Sequence, residues 1–332
     1  MRRTPLVASE RALVGTTSLG LAPDRAVAGS TLTVVALGGN ALLEKGERGT
    51  AAEQRANLRA TVPALRRFAD GPLVLTHGNG PQVGNELLRQ ELASAEAPPL
   101  PLYLAVAQTQ AEIGALIAAE ARTELRREVA VLLSHVVVDA DDPAFGHPTK
   151  PIGPFYDEAR ALELEHERGW QLEEDAGRGW RRLVPSPEPI ELLELETIRT
   201  VIASGAIVVA AGGGGIPVVR TDRGYDGVDA VIDKDRASAL LAERLGAGRL
   251  VILTQVPTVY RDYESDEREA IAELVPGRDD ELLPHLHAGS MRPKVEASFA
   301  YVRATGGEAL ITSAWALLNG EAGTRVLPAP SS

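Results

Sequence analysis

Three apolar runs of this 332-residue chain end in a glycine-rich loop. The loops are Gly38-Gly39-Asn40, Gly78-Asn79-Gly80 and Gly212-Gly213-Gly214-Gly215. Glycine allows the backbone to come close to a ligand, and a helix that begins at such a loop directs free N–H groups towards an anion. A single loop of this kind is more often only a tight turn. Three of them in one chain predict a binding site for phosphate.

Lysine is rare in this chain, although lysine and arginine together number 34. The lysines are Lys45, Lys150, Lys234 and Lys294. Lys150 lies in a proline-rich run, and Lys294 follows a proline. Lys234 stands between Asp233 and Asp235, and the carboxylate of Asp233 is suited to hold a lysine charged and in place. Phosphoryl transfer depends on cations and N–H donors around the phosphate oxygens, so these lysines are candidates for that chemistry.

The common phosphate-binding signatures are absent from the sequence. No lysine follows a glycine, which excludes a Walker A loop. After Gly78 and Gly80 a third glycine would fall at Val83, which excludes the dinucleotide fingerprint G-x-G-x-x-G. The protein-kinase motifs are missing as well. Another arrangement of cations must therefore neutralise the phosphates.

Composition excludes several classes of function. The net charge of −12 and the pI of about 5.1 argue against nucleic-acid binding, which needs a basic surface. No cysteine is present, which excludes disulfides, thiolate metal sites and thiol nucleophiles. No uninterrupted apolar run approaches the ~20 residues of a membrane span, so we expect no membrane insertion. Charged residues and a proline interrupt residues 1–30, so we expect a poorly ordered extension there and a cytoplasmic protein.

The elements that must position these residues alternate along the chain. Apolar, β-branched runs predict strands at 31–37, 73–76, 128–138, 206–210, 249–254 and 308–312, with a short strand near the C-terminus. Helical patterns cover 50–69, 82–95, 103–125, 191–204, 236–245 and 293–304, and Pro63 is expected either to kink the first of them or to mark its boundary. This alternation predicts an α/β fold with a mostly parallel open sheet covered by helices on both faces. Ligands bind such sheets at the carboxyl ends of the strands, where the glycine loops fall.

The segment from Asp139 to about Pro189 differs in composition from the rest of the chain. It is rich in proline, glycine, tryptophan and charged residues. Its aromatic residues need a surface to pack on, so we interpret residues 140–189 as a small lid rather than a linker.

Several blocks in collinear order resemble those of carbamate kinases. The blocks are 34–41 (VVALGGNA), 77–85 (HGNGPQVGN), 148–155 (PTKPIGPF), 174–181 (EDAGRGWR), 212–219 (GGGGIPVV), 231–235 (VIDKD), 289–291 (GSM) and Pro293-Lys294. The glycine blocks by themselves would indicate only the wider amino-acid kinase superfamily. The third and fourth blocks are much more specific to carbamate kinases, and the resemblance extends from Thr31 to the C-terminus.

The resemblance implies an αβα sandwich with a protruding lid and a reversible transfer of phosphoryl between ATP and carbamate. It implies an N-terminal lobe at 31–205 for carbamate and a C-terminal lobe at 206–332 for ATP or ADP with Mg²⁺. The family is homodimeric and has no dedicated protein cage for the metal, so Mg²⁺ would arrive on the nucleotide phosphates. His285-x-His287 is accordingly interpreted as a loop pair rather than a metal site.

Residue roles follow by position from the same resemblance. The residues implied to bind carbamate and the transferred phosphoryl group are Gly38, Gly39, Asn40, Gly78, Asn79 and Gly80. The residues implied to be catalytic are Lys150, Lys234, Lys294 and Asp233. Lys150 would be brought to the reacting groups by the lid, and Lys234 and Lys294 would contact nucleotide phosphates, with Asp233 organising these two lysines. The residues implied to bind the nucleotide are Gly212, Gly213, Gly214, Thr254, Tyr260 and Met291.

The chain departs from the family pattern at two places in its nucleotide region. Gln255-Val256-Pro257 replaces a small or acidic residue followed by Val-Asp, next to the expected adenine pocket. Arg292 stands where a small or apolar residue is common, and we expect its side chain to face solvent. Two other functions remain open: another kinase of the same superfamily, acting on a carboxylate or a nucleoside monophosphate, and a catalytically silent nucleotide-binding protein. The lid motifs argue against the first and the three lysines against the second.

Overall fold

A computed structural model of the protein describes residues 30–44, 46–174, 179–287 and 289–330. The helices are α1 Ala51–Thr61, α2 Gly80–Ala93, α3 Leu102–Leu125, α4 Glu158–Arg168, α5 Leu195–Ala203, α6 Lys234–Leu245, α7 Met291–Thr305 and α8 Ala314–Leu318. The strands of the first half are β1 Thr33–Leu37, β2 Leu73–His77, β3 Val129–Val131, β4 His135–Val137, β5 Lys150–Tyr156, β6 Gln171–Glu174, β7 Trp180–Val184 and β8 Glu191–Leu192. The remaining strands are β9 Ile207–Val209, β10 Ile216–Thr221, β11 Gly224–Gly227, β12 Arg249–Leu253, β13 Val259–Arg261, β14 Glu269–Ile271, β15 Glu273–Leu274, β16 Glu308–Thr312 and β17 Thr324–Val326.

An eight-stranded sheet forms the centre of the molecule, in the order β15-β17-β16-β12-β1-β2-β9-β3. Its strands run parallel except at the β16–β17 pair. Both faces are buried, because Val34 and Ala36 of β1 belong to one apolar core and Val35 and Leu37 belong to the other. A strand buried on both faces needs helices above and below it. The predicted α/β class and mostly parallel open sheet are confirmed.

The predicted strand 128–138 is divided in two. β3 pairs with β9 in the main sheet, whereas β4 pairs with β10 and β8 in a separate four-stranded sheet. Between them the side chain of Gln110 in α3 accepts a hydrogen bond from Ser134 N and donates one to Ser134 O, at 3.0 and 3.2 Å. A side-chain amide thus satisfies the backbone where it changes sheets, which the apolar pattern of the run could not reveal.

Two predicted helices are shorter than their patterns indicated. The one expected over 50–69 is α-helical only to Thr61, and Val62–Phe68 is a 3-10 helix that begins one residue before Pro63. Proline has no N–H to donate, which explains the break. The helix expected from Glu191 begins at Leu195, because Glu191–Leu192 forms β8 against β4.

By length and composition, helix α3 is long and apolar enough to cross a membrane. We did not expect this from the sequence, because polar residues interrupt every apolar run in the helix. Half of its apolar stretch is buried inside the protein. Its buried residues include Ile113, Ile117 and Ala121, which belong to the core on the β1–β2 sheet. The apolar character of α3 is therefore accounted for by packing.

A small antiparallel sheet in the order β5-β7-β6, with α4, forms the segment interpreted as a lid. Strand β5 lies against α2, where a Cβ on Gly84 would stand 2.4 Å from the Cα of Gly153. Only glycine at position 84 permits this approach. The ion pairs of Glu91 in α2 with Arg160 and Arg168 of α4, at 3.6 and 3.0 Å, hold the lid helix to the same helix. Residues 175–178 of the tryptophan-containing lid block, and residues 1–29, lie outside the described residues.

Arg127 connects two turns at the amino-terminal ends of strands in the main sheet. Its guanidinium donates hydrogen bonds to the carbonyl oxygens of Ala69, Gly71 and Gly205, at 2.6, 2.7 and 2.7 Å. These carbonyls belong to the turns before β2 and β9, which are neighbours in the sheet. One side chain therefore fixes two turns that are distant in sequence.

We expect Arg127→Ala to lower the free energy of unfolding by about 2–3 kcal/mol, because three carbonyl oxygens lose a charged donor. Urea unfolding followed by circular dichroism measures this change. Arg223→Ala, in the exposed turn between β10 and β11, is the matched control and should alter stability by less than about 0.5 kcal/mol. Equal stability of the two variants would contradict this account of Arg127.

Candidate active site

The three glycine loops converge at the carboxyl ends of β1, β2 and β9. Gly38 follows β1, and its Cβ, if present, would lie 2.4 Å from the carbonyl oxygen of Leu253 at the end of β12. A Cβ on Gly212 would lie 2.3 Å from His77 Nε2. A Cβ on Gly213, which has φ of 64°, would lie 2.3 Å from the side-chain amide nitrogen of Asn79. The loops fit together only because these positions carry no side chain.

The loop after β2 continues into helix α2. Asn79 is buried, and its side-chain amide donates to Thr109 Oγ1 at 3.0 Å. Gly80 is the first residue of α2, whose N-terminal end is suited to an anion. Gly39 and Asn40 lie in the 3-10 turn Gly39–Ala41, directly after β1. All six residues implied to bind carbamate are thus in the two adjacent turns after β1 and β2.

Two of the candidate lysines share one buried carboxylate. Lys234 Nζ donates a hydrogen bond to one carboxylate oxygen of Asp235, and Lys294 Nζ donates one to the other oxygen at 3.1 Å. Lys234 also reaches the glycine loop, since a Cβ on Gly78 would lie 3.7 Å from its Cδ. The ammonium of Lys294 donates in addition to the carbonyl of Ser290 at 3.1 Å. Asp235 therefore holds together two cations from consecutive helices, α6 and α7, and one of them, Lys234, lies beside the β2 loop.

Asp233 has a different role from the one inferred from sequence. Its Oδ2 accepts from Lys150 Nζ of the lid at 2.7 Å. Its Oδ1 caps α6 by accepting from the backbone N–H groups of Asp235 and Arg236, at 2.9 and 3.2 Å. Asp233 thus organises Lys150, and sequence reasoning missed that Asp235 organises the other two lysines. The Asp-Lys-Asp spacing at a helix start contained the signal, because one aspartate caps the helix and the next is free to face inward.

Burial and charge oppose each other at this cluster. Burial by itself would raise the pKa of Asp235, but Lys234 and Lys294 outweigh it and hold the pKa well below its ordinary value. Burial would lower the pKa of Lys294, and Asp235 overcomes that effect and raises it. For Lys234 burial prevails, with help from Lys294, and its pKa is lowered. A buried ammonium with too little counter-charge is a favourable place for a phosphate oxygen.

His77 is a further buried group that the sequence analysis did not assign. It ends β2, is fully enclosed, and its Nδ1 lies 3.0 Å from the carbonyl oxygen of Gly78. Because that oxygen only accepts, Nδ1 must carry the proton. Burial lowers the pKa of His77 to about 4, the Gly78 carbonyl opposes this, and Lys234 lowers it further. The ring is therefore neutral above pH 5 and adds no charge to the lysine cluster.

A cavity of about 650 Å³ opens beside Lys294. It is lined by Thr254, Gln255, Val256, Tyr260, Asp262, Tyr263, Glu264, Ser265, His285, Leu286, His287, Ser290 and Met291. Three of the residues implied to bind nucleotide, Thr254, Tyr260 and Met291, are thus brought together. The other three, Gly212, Gly213 and Gly214, do not line the cavity and lie instead against His77, Asn79 and Ile232.

The departures from the family pattern also have defined places. Gln255 is exposed and lines both this cavity and a neighbouring one of about 570 Å³ that Gly38 and Trp315 border. Arg292 does not simply face solvent as expected, because its guanidinium donates to the carbonyl of Pro284 at 2.8 Å. It ties the start of α7 to the preceding 3-10 turn. His285 and His287 belong to the cavity wall, and among the described residues no group of three His, Cys, Asp or Glu could hold a metal ion.

We expect Asp235→Asn to lower the free energy of unfolding by about 3–5 kcal/mol, because it leaves two buried ammonium groups without their counter-charge. Urea unfolding at pH 7 measures the loss. Asp280→Asn is the control, since Asp280 forms an ion pair with Arg303 at the surface. If Asp235→Asn proves no less stable than Asp280→Asn, the shared carboxylate does not hold the lysines in the way described.

The pKa of His77 predicts a pH dependence of stability. The unfolded chain takes up a proton on this histidine near pH 6.5, whereas the folded protein does so only near pH 4. The free energy of unfolding should therefore fall by about 3 kcal/mol as the pH decreases from 6.5 to 4. His77→Gln should remove that contribution, as measured by urea unfolding at several pH values. His166→Gln, an exposed histidine of α4, should keep the native profile; a His77→Gln profile that also matches it would refute the prediction.

Comparison with known proteins agrees with this architecture. The sequence profile of the amino acid kinase family matches residues 31–313. The carbamate kinase of Halobacterium salinarum is 44% identical over 307 residues, which are 90% of this chain and 98% of the relative. The carbamate kinase of Pyrococcus horikoshii is 43% identical over 309 residues, 89% of this chain and 98% of the relative.

Solved structures give the same result. The carbamate kinase from Giardia lamblia bound to AMP-PNP superposes with a TM-score of 0.82 at 38% identity, covering 91% of this chain and 99% of that one. The same enzyme bound to citric acid gives a TM-score of 0.84 with equal identity and coverage. The chain therefore belongs to the amino acid kinase family and, within it, to the carbamate kinases.

Proposed function

We propose that the protein transfers a phosphoryl group reversibly between carbamoyl phosphate and ADP, with Lys150, Lys234 and Lys294 as its catalytic cations. The observation that carries the proposal is the pair of ammonium groups held by Asp235, of which that of Lys234 belongs to a side chain beside the glycine loop after β2. In the direction of ATP formation, a β-phosphate oxygen of ADP attacks phosphorus. The bond from phosphorus to the carbamoyl oxygen breaks, and its electron pair leaves on carbamate, which decomposes to ammonia and carbon dioxide.

The loops after β1 and β2 are suited to hold carbamoyl phosphate. Gly38, Gly39 and Asn40 form one tight turn, and Gly78, Asn79 and Gly80 form the other at the start of α2. Backbone N–H groups at a helix start stabilise phosphate oxygens without needing a second charged side chain. The small size of these turns favours a small acceptor such as carbamate over a bulky one.

Lys234 and Lys294 act on the charge that develops in the transition state. The transferred group has a loose transition state with charge spread over its oxygens, so fixed cations around it provide most of the catalysis. Lys234 is buried with too little counter-charge, so an incoming phosphate completes its environment. Lys294 adjoins the nucleotide cavity through Ser290, where it is placed between that cavity and Lys234.

Lys150 brings the lid into the reaction. Its side chain is about one-third exposed and reaches Asp233 from strand β5. Since Asp233 also caps α6, the lid lysine is directed at the helix that bears Lys234. A phosphate bound nearby competes with Asp233 for the Lys150 ammonium and so draws the lid over the substrates.

The nucleotide belongs in the cavity beside Lys294. Its volume of about 650 Å³ is within the range of small-molecule sites, and its wall combines aromatic, apolar and polar residues. The solved complex of the Giardia lamblia relative with AMP-PNP supports nucleotide binding by this fold. We propose that the substrate is the Mg²⁺ complex of the nucleotide, since Asp233 and Asp235 are both engaged by lysines and Mg²⁺ binds readily through phosphates and water.

The assignment of one substrate to each lobe is also a proposal. Residues 31–205 would hold carbamate and 206–332 the nucleotide, but β9 lies between β2 and β3 in the sheet. The Gly212–Gly215 loop therefore lies on the carbamate side, although it follows residue 205 in sequence. The three glycines of this loop would then shape the phosphoryl site and contact the nucleotide through its terminal phosphate. They are Gly212, Gly213 and Gly214. We further propose a homodimer in the cytoplasm.

We expect the native protein to form ATP from carbamoyl phosphate and ADP with Mg²⁺, and Lys294→Ala and Lys150→Ala each to lower kcat by on the order of 10²–10³-fold, because each removes stabilisation of transition-state charge. A coupled assay that detects ATP measures turnover. Arg303→Ala removes a surface cation from the same helix as Lys294 and should leave kcat unchanged.

Two outcomes would count against the proposal. If the native protein binds ADP but forms no ATP, the assignment to carbamoyl phosphate fails, and a carboxylate or a nucleoside monophosphate becomes the acceptor to test. If turnover is intact in both lysine variants, the phosphoryl group is not transferred at this cluster. Circular dichroism of each variant shows whether the fold is retained.

A further inference from the structure

The hairpin turn between β13 and β14 adds a pair of aromatic rings to the nucleotide cavity. Tyr260 on β13 and Tyr263 in the turn both line the cavity, and their ring centroids are 5.9 Å apart at an angle of 50°. Only Tyr260 was expected from sequence. Tyr263 is 52% exposed in a turn whose neighbouring residues are exposed as well, so core packing does not explain its place.

Arg268 holds these two rings together. Its guanidinium carbon lies 5.3 Å from the centroid of Tyr260 and 5.8 Å from that of Tyr263. A cation over a tyrosine ring is attracted by the negative face of the ring, and here a single cation serves two rings. Arg268 does not line the cavity, so it acts on the cavity only through the tyrosines.

The backbone of the turn is fixed as well. Asp262, directly before Tyr263, has φ of 50°, a left-handed conformation that aspartate adopts more readily than most residues with a side chain. Hydrogen bonds from Ser265 N to Asp262 O at 2.9 Å and from Arg268 N to Ser265 O at 3.2 Å close the turn. The turn therefore has a defined backbone that presents Tyr263 to the cavity.

The residues around the cavity differ in charge, which favours one orientation of a nucleotide within it. The backbone carbonyl of Ser290, a residue of the cavity wall, accepts a hydrogen bond from Lys294, so phosphates belong near Ser290. Asp262 and Glu264, on either side of Tyr263 in the turn, also line the cavity and would repel phosphate. Rings and carboxylates together suit a nucleobase and a ribose. The base therefore belongs beside Tyr263.

We propose that Tyr263, together with Tyr260, forms a stacking wall for the nucleobase and that Arg268 is the residue that positions this wall. The inference deepens the proposed function and rests on it in taking ADP as the substrate. The wall contributes to nucleotide affinity and leaves the transfer step unaffected, because the hydrogen bonds that hold Lys150, Lys234 and Lys294 are made with Asp233, Asp235 and Ser290. A base held by stacking is recognised as a flat ring, so affinity for a diphosphate depends on the presence of a base.

Tyr263→Ala should raise the KM for ADP by roughly ten- to hundred-fold, the loss expected for one base–aromatic stack. The kcat at saturating ADP and the KM for carbamoyl phosphate should stay within twofold of the native values. Tyr263→Phe should retain the native KM. Arg268→Ala should raise the KM for ADP by roughly two- to fivefold, whereas Arg268→Lys should have a KM for ADP close to the native value. Tyr225→Ala is the matched control, since Tyr225 is also exposed, lies under Arg220 at 5.3 Å, and is outside the cavity.

Ribose 5-diphosphate, which has no base, separates stacking from a general disturbance of the cavity. As an inhibitor it should bind equally to the native protein and to Tyr263→Ala. An equal loss of affinity for ADP and ribose 5-diphosphate in the variant would overturn the stacking role, as would an unchanged KM for ADP. Calorimetric titration with ADP compares the affinities of the native protein and of Tyr263→Ala without turnover. If the native protein forms no ATP, the proposed function is refuted, but the titration still tests the stacking role of Tyr263.

Discussion

A single buried carboxylate determines the arrangement of the candidate active site. Asp235 neutralises Lys234 and Lys294, which come from two helices that pack against each other on one face of the sheet. Without it, two ammonium groups would be brought together in a nearly dry interior, where like charges repel strongly. The carboxylate is sufficient to keep both lysines in place but insufficient to satisfy them fully, as the lowered pKa of Lys234 shows. In the proposed mechanism, the phosphoryl group in transfer supplies the missing negative charge.

The glycine loops impose the second constraint, which is steric. At Gly38, Gly212 and Gly213 a Cβ would come within about 2.4 Å of a backbone carbonyl, an imidazole and an amide. His77 fits between the loops after β2 and β9 and remains neutral, so it fills space without adding to the positive charge nearby. The site thus combines two features. Its three loops accept no side chain at these glycine positions, and its charge cluster has two ammonium groups for the single carboxylate of Asp235.

Much of this could be predicted from the sequence, because local patterns determine it. The parallel sheet follows from apolar runs that end in glycine, and the lysines could be singled out by their scarcity and their neighbours. What the sequence could not show depends on contacts between distant residues. The side chain of Gln110 in α3 divides the run 128–138 into β3 and β4. For Asp235 the Asp-Lys-Asp spacing indicated only that one carboxylate faces inward, and the lysines that it holds depend on the packing of α6 and α7. The position of β9 in the sheet places the Gly212 loop away from the cavity of about 650 Å³.

The contact between Lys150 and Asp233 has a consequence for how the active site empties. In the free protein the lid ammonium is already paired, so a phosphate that binds it displaces a carboxylate instead of filling a vacant position. Phosphate binding at Lys150 is then an exchange of one anion for another. The net binding free energy is therefore smaller than the free energy of either contact by itself. In the proposed mechanism, the same carboxylate takes the lysine back when the transferred group has gone. An internal anion of this kind would reduce tight retention of products and so favour repeated turnover in both directions.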